Sequence, residues 1–488
     1  MITQSTRRVV TRFAPSPTGF LHIGGIRTAL FSYLWAKKNN GTFILRIEDT
    51  DKTREVKGSI EHIQESLSWL SLTWDYGPDK PGPFGSSLQS ERLAIYKKYA
   101  EKLHADGFAY PDPYTEADVE QFREESKKNG KPFLYRDYRP KTFGTWDGTT
   151  TLRFKVPEVK RYAWLDAVRG NLEAGEEALD DFVLIKSDGY PTYNFAHIVD
   201  DFEMEVTHIF RADEFISSTP KFLSLYEALG IEHPIFVTLP PILREDRMKK
   251  LGKRDGAKDI LDYRKEGYLP SAMNNYLALI GWNPGTEQEI FSMEDLLTQF
   301  SIDQIHIAGA TFDEAKLQWI NREHLLMLES SKFLDTAKPF LSEKTKNGLD
   351  RAGLWEKLVP VMQERIQTLS DLTDMDEAGE FAYFYSKPDY TPETLLWKKN
   401  PDSDATRNHL EKLIILLDSV SENEWVSEKI KESVFTYAEL EGKGNVLWPM
   451  RVALSGMEKS PDPFTIAGII GKDETEKRLR DAAHVLAS

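Results

Sequence analysis

Apolar positions follow two rhythms in the first fifty residues. In RRVVTRF (7–13) they sit side by side, as in a short strand buried on both faces. From Ile26 they move to helical spacing, through Ala29, Leu30, Tyr33 and Leu34, and the pattern stops at Asn39-Asn40-Gly41, a helix-ending sequence. TFILRIED (42–49) reads as a strand again. Strand, loop, helix, strand predicts a βαβ unit and hence a parallel sheet. Ligands of such sheets gather at the carboxyl ends of the strands. Arg12 through Gly25 and Glu48-Asp49 should therefore border one crevice.

Further on, Pro and Gly concentrate between Pro78 and Pro83, where an insertion is expected to open. TLRFKVP (151–157) and DDFVLIKSDGYPTYNF (180–195) read as strands, the latter as a hairpin turning at Ser187-Asp188-Gly189. After about residue 320 strand patterns fade, and stretches such as HLEKLIILLDSV (409–420) carry helical periodicity. The expected class is α/β followed by all-α. At 488 residues the chain exceeds a single core, and two to four domains are expected. There is no internal repeat and no low-complexity tract.

Composition narrows the chemistry. The chain has no cysteine, which removes disulfides, thiolate nucleophiles and cysteine-ligated zinc together. Neither HExxH nor GxxxxGK[ST] occurs, against a zincin protease and a P-loop enzyme. No apolar run is long enough to span a bilayer and the N-terminus has no signal-peptide core, so a cytoplasmic protein is expected. A net charge of -16 argues against a general nucleic-acid coat protein but leaves room for a nucleic-acid enzyme with local basic patches.

Two stretches carry candidate chemistry. In RFAPSPTGFLHIGGIRTALF, Gly24 and Gly25 open a helix without a Cβ to keep a flat ligand off the backbone. The free N–H groups of that helix start favour an anion, and His22 could donate to a phosphate. The bland alternative is a packed histidine at a capped helix start. In LREDRMKKLGKRDGAKD, Arg244, Arg247, Lys249, Lys250, Lys253 and Arg254 fall within eleven residues, interrupted by Gly252 and Gly256. A solvated charged loop is the ordinary explanation. Lysines on such a loop can also neutralise a departing pyrophosphate.

Together the two stretches resemble the HIGH and KMSKS signatures of class I aminoacyl-tRNA synthetases, as His22-Ile23-Gly24-Gly25 and Lys250-Leu251-Gly252-Lys253-Arg254. The flanking RIEDTD, DDFVLIKSDGYPTYNFAHIVDD, THIFRADEFISSTPK, FDEAKLQWIN and WPMRVALSGMEKSPDPFTIAGIIGKDETEKRL make the chain similar to the bacterial-type glutamyl-tRNA synthetase family, in family order from about residue 8 to residue 482. The resemblance implies ATP-dependent attachment of glutamate to the 3' end of tRNA(Glu) through a glutamyl-adenylate, releasing AMP and pyrophosphate, with Mg2+. It implies a Rossmann-like catalytic domain (1–82 and 190–242), an α/β insertion binding the tRNA acceptor end (83–189), a stem-contact segment with the KLGKR loop (243–330) and a helical anticodon-binding region (331–488). A monomer is the family default.

Residue by residue, the resemblance puts the glutamate side-chain carboxylate on Arg12 and its ammonium on Glu48, with Ser16 nearby. Arg211 faces the α-carboxylate, and Tyr193 and His197 assist. A substrate with two carboxylates and one ammonium independently calls for two forked guanidiniums and a carboxylate. His22, Gly24, Gly25, Lys250 and Lys253 fall to ATP, with His22 and both lysines in catalytic roles. Arg351 or Trp355 could meet anticodon bases.

Departures from the family pattern are Gly252 in place of serine, Asp255 beside the phosphate site, and Phe215 where tryptophan or histidine is usual. In the insertion, where some members bind zinc through cysteines, this chain has Asp112 and Tyr114, and no zinc or other protein-held metal is expected. Rivals are a glutaminyl-tRNA synthetase, which reads closer to RFPPEPNG and ends in β-barrels; the truncated paralogue without an anticodon-binding half; a small-molecule adenylyltransferase; and an inactive tRNA-binding protein. Whether tRNA(Gln) is charged as well is not legible in the residues.

Overall fold

The computed structural model describes residues 7–244 and 258–487, in two compact units. The first runs to Arg264 and includes Leu269–Ile320; the second comprises Lys265–Tyr268 and the chain from Asn321 onward.

A six-stranded sheet organises the first unit, in the order Thr42–Leu45, Val10–Phe13, His208–Ala212, Ile235–Leu239, Tyr162–Asp166, Gly170–Ala174. The first five strands are parallel, and the last returns antiparallel as the far arm of a hairpin. The expected βαβ unit is present: Val10–Phe13 pairs in parallel with Thr42–Leu45, and the helix Ile23–Lys38 crosses between them. Ile26, Ala29, Leu30 and Leu34 on that helix are wholly buried. Asn40 then takes a left-handed backbone (φ 51°), and Gly41 has no room for a side chain, because a Cβ would lie 2.2 Å from the Val9 carbonyl oxygen.

Val10–Phe13 has its immediate successor on one side and His208–Ala212 on the other. That is a topological switch point, where crossovers leave in opposite directions and open a crevice over the carboxyl ends of the strands. Outside Thr42–Leu45 the sheet edge is taken up by the following chain. Asp75 donates its N–H to Phe43, Leu45 to Tyr76 and Ile47 to Ser87. On the opposite edge strand, Glu173 pairs with Arg161 at 2.8 Å.

A second, antiparallel sheet joins Ala109–Pro111, Leu152–Phe154 and Val183–Ile185. The turn after Val183–Ile185 is as expected, with Gly189 at φ 82° and the Tyr190 N–H bound to Asp188. The hairpin's second arm is not a strand. Pro191 makes one bridge to Ile185, and from Tyr193 to Glu203 the chain is helical. The reason lies in the burial of Phe195, Ala196, Ile198 and Val199. Those spacings fill one face of a helix, whereas an alternating strand would send half of them to solvent. Near this sheet Asp112 accepts from Arg153 at 2.9 and 2.7 Å and from the Tyr135 hydroxyl, while the Arg153 guanidinium lies 3.4 Å from the centre of the Tyr135 ring.

The second unit is helical, with no strand among the described residues after Thr311. A buried Arg478 joins its helices: it donates to the carbonyls of Tyr383 (2.7 Å), Leu454 (2.6 Å) and Ser386 (3.2 Å), which lie at or near two helix C-termini. Among the described residues no helix is long and apolar enough to cross a membrane.

Asp166 ties the hairpin to the parallel strands. It is buried, accepts the N–H groups of Val168 and Arg169 at 3.0 Å, and takes the Thr238 hydroxyl of the neighbouring strand. Asp166→Ala leaves these donors without their acceptor inside the protein. It should lower stability by about 3 kcal/mol, read from the urea midpoint.

Candidate active site

The carboxyl edge of the sheet carries three of the predicted residues. Arg12 and Arg211 are each the penultimate residue of adjacent strands. Past Leu45 the chain continues alongside the first strand, Arg46 N–H reaching Phe13 (2.9 Å) and Glu48 N–H reaching Pro15 (3.0 Å). Glu48 thereby arrives beside Arg12.

These groups are held by residues that the motifs did not single out. Asp201 receives the Arg12 Nε at 3.0 Å and the Arg12 Nη2 at 3.4 Å, and the Arg46 Nη1 at 2.7 Å. Arg46 also donates to Glu48 Oε1 at 3.1 Å. Asp200 next door accepts Gln89 (2.8 Å), Arg92 (2.7 Å) and the Tyr96 hydroxyl (2.7 Å). All are buried. Burial works to raise the Asp201 carboxyl, but the Arg12 and Arg46 guanidiniums outweigh it and hold it at about 2. Burial raises Glu48 above its ordinary value against the pull of Arg46 and Arg12. A sequence signal for both partners existed: a lone arginine inside FILRIED and an acidic pair closing the apolar run FAHIVDD.

Arg211 differs. Its Nη2 donates to the Thr219 hydroxyl at 2.7 Å, and its guanidinium lies 4.3 Å from the centre of the Phe236 ring. Among the described residues it forms no salt bridge and its Nε has no hydrogen-bond partner, and burial lowers it to about 10. Tyr193, His197 and Asp201 follow at four-residue spacing on one helix face. The Tyr193 ring stacks on His197 at 4.6 Å, and the phenol is raised by burial and by Glu48, against Arg12 and Arg211. Nδ1–H of His197 donates to the Tyr193 carbonyl at 2.6 Å, so its Nε2 carries the lone pair. Phe215 lies 5.6 Å from Tyr193, ring to ring.

His22 caps the helix Ile23–Lys38. Its Nδ1 accepts the Gly24 N–H at 3.1 Å, which puts the proton of the neutral ring on Nε2. A Cβ on Gly24 would stand 3.0 Å from that ring, whereas one on Gly25 meets only ordinary contacts. Arg27, one turn on, donates to the carbonyls of Ile280 (2.9 Å) and Pro240. Ser16 is exposed on the loop after the first strand. The structure thus gathers Arg12, Glu48, Tyr193, His197 and Arg211 and puts His22 at the head of the crossover helix. Lys250, Gly252, Lys253 and Asp255 lie outside the described residues. Among the described residues no three His, Asp or Glu side chains gather to hold a metal ion.

A parallel sheet with a switch-point crevice, a histidine-capped glycine helix and two strand-end arginines define a class. The model of the tRNA synthetases class I (E and Q) catalytic domain matches residues 8–319, and that of an anticodon binding domain matches residues 332–483. A glutamate--tRNA ligase of Clostridium botulinum (strain Hall) is 40% identical over 97% of this chain and 98% of its own, and one of Carboxydothermus hydrogenoformans is 40% identical over 96% and 99%. The crystal structure of a glutamate tRNA ligase from Elizabethkingia meningosepticum in complex with its amino acid is 34% identical, covers 98% of this chain and all of its own, and superposes with a TM-score of 0.83. The chain belongs to the glutamate–tRNA ligase family of class I synthetases.

The neutral His197 has a consequence for acid stability. Burial lowers it from 6.5 to about 3, so between those values the unfolded chain binds a proton that the native protein does not. Its contribution is complete above pH 6.5 and is lost as pH falls toward 3. His197→Asn should flatten the stability–pH slope between about pH 4 and 6 by one proton, ~1.4 kcal/mol per pH unit. His208 and His324, both lowered to about 4 by burial, keep their share of that slope. Urea titrations at stepped pH measure it.

Proposed function

We propose that this chain attaches glutamate to the 3' end of tRNA(Glu) at the expense of ATP. The observation that carries this reading is the charge balance of the crevice. Arg12, Arg46 and Arg92 are matched by Asp200, Asp201 and Glu48 through buried ion pairs. Arg211 adds a buried positive charge with no carboxylate in contact among the described residues. Glutamate, with two carboxylates and one ammonium, brings the missing negative charge. In this reading Arg211 takes the α-carboxylate and Glu48 the ammonium. The side-chain carboxylate meets the Nη1 side of Arg12, whose other nitrogens hold Asp201, with Tyr193, His197 and Ser16 closing the pocket.

The α-carboxylate attacks the α-phosphate of ATP and pyrophosphate leaves. The terminal ribose hydroxyl of the tRNA then attacks the mixed anhydride and AMP leaves. His22 Nε2–H and the backbone at Gly24 and Gly25 receive the nucleotide, and Lys250 and Lys253 stabilise the negative charge that builds on the departing phosphates. No residue forms a covalent bond; the catalysis is positioning and electrostatics. Mg2+ enters with the triphosphate, as is usual for an ion held mainly by phosphates and water. We assign residues 83–189, apart from the two main-sheet strands Tyr162–Asp166 and Gly170–Ala174, to the acceptor end, 243–330 to the stem and 331–488 to the anticodon. We also read the enzyme as a cytoplasmic monomer. Trp355, half-buried with its indole N–H on Asp350, and the exposed Arg351 are candidates for anticodon contact.

Charging with radiolabelled glutamate tests the reading, using separate transcripts of tRNA(Glu) and tRNA(Gln), with ATP–pyrophosphate exchange measured with and without tRNA. Charging of tRNA(Glu) with tRNA-dependent exchange is expected; absence of glutamate transfer to either transcript refutes it. Lys253→Ala should lower kcat at least a hundredfold, roughly the loss on removing one transition-state donor, while the KM for glutamate stays within about threefold. An equal loss in both would remove Lys253 from the chemical step.

A further inference from the structure

Asp259 follows Lys253 by six residues and lies against the loop that leads into His22. The two backbones form an antiparallel bridge at His22 and Asp259, and the Ile260 N–H donates to Leu21 at 3.0 Å. The Asp259 side chain has two partners. Its Oδ1 accepts the Leu261 N–H at 3.0 Å, at the start of the short helix Ile260–Lys265. Both its oxygens stand 2.8 Å from Nε2 of His62, on the helix Ser59–Trp69.

His62 in turn stacks on Phe20, ring centres 4.5 Å apart and planes 23° apart. Phe20 is 47% exposed, a large ring left at the surface beside this one partner. The same helix start reaches the loop again through the Ser59 hydroxyl, which donates to Gly19 at 2.9 Å. One imidazole thus touches both the approach to His22 and the chain that leaves Lys253. Capping alone does not account for the pair, since a serine caps a helix as well as an aspartate. A second pair, Arg264 with Glu65 at 2.6 Å, joins the same two helices, but it is exposed and contributes little. The His62 and Asp259 side chains are 10% and 22% exposed.

We propose that His62 and Asp259 are positioning residues that tie the chain at Asp259 to the loop preceding His22 and so hold the nucleotide-binding end of the crossover helix in place. This rests on the assignment of His22 to the nucleotide above. Neither residue of the pair touches substrate.

The test is tRNA-dependent ATP–pyrophosphate exchange by the full chain. His62→Phe keeps a ring on Phe20 and removes the donor. His62→Gln returns an amide N–H near the position of Nε2. Asp259→Ser keeps the cap and removes the carboxylate. Glu65→Gln breaks only the exposed pair. His62→Phe and Asp259→Ser should each lower kcat roughly tenfold and raise the KM for ATP, with the KM for glutamate unchanged. The double variant should be no worse than either single, His62→Gln should recover most of the rate, and Glu65→Gln should stay within twofold of the parent. Losses that multiply in the double, KM values for ATP and glutamate that rise together, or an Asp259→Ser enzyme at parental rate would each overturn the proposal. Should His62→Phe fail to fold, Asp259→Ser and His62→Gln decide alone. Loss of the underlying assignment has a different signature: the parent enzyme then gives no exchange with tRNA(Glu).

Discussion

Asp201 is the interaction on which the rest of the site depends. A carboxylate shut away from water costs several kcal/mol unless its charge is answered, and here two guanidiniums answer it from different strands. Arg12 lies near the end of one strand and Arg46 just past the end of its parallel neighbour, and their like charges would repel if left alone. The aspartate between them lets both arginines sit at one edge, and Arg46 carries the same balance on to Glu48. Arg12 and Glu48 are thereby locked, with little side-chain freedom left to either. Arg211 stands outside this balance, on aromatic rings and a hydroxyl.

Parts of this arrangement were legible in the residues alone. The first strand, its crossover helix and the second strand follow from apolar spacing and from the stop at Asn39-Asn40-Gly41, because each is a local pattern. Arg12, Glu48 and Arg211 were singled out by the resemblance from among the residues of its motifs. Asp201 was not, because its meaning comes from partners 155 and 189 residues away along the chain. The lost hairpin arm has a local cause: Tyr-Pro-Thr-Tyr is strand-like in composition, and only the burial of the next two turns shows a helix. His22 was read as a phosphate donor; that its other nitrogen caps the helix, and so fixes which nitrogen donates, needed coordinates.

The second sheet shows the same economy of charge. Asp112 gathers a guanidinium and a phenol, and the two stack on each other. In the second unit Arg478 plays the corresponding part for helices, collecting carbonyls from near two helix ends that would otherwise lack donors.

The edges of the main sheet have a consequence for how the protein lives at high concentration. A parallel sheet left open on either side is a template for any extended segment that drifts past. Here one border is already consumed by the chain's own residues 75–88, and the other is a five-residue strand bearing a charge pair. The fold therefore keeps its catalytic sheet from being lengthened by a neighbour. On the first border a nascent or crowded copy cannot add a strand without breaking bonds that the native chain has made, and on the second it meets a short strand carrying charge.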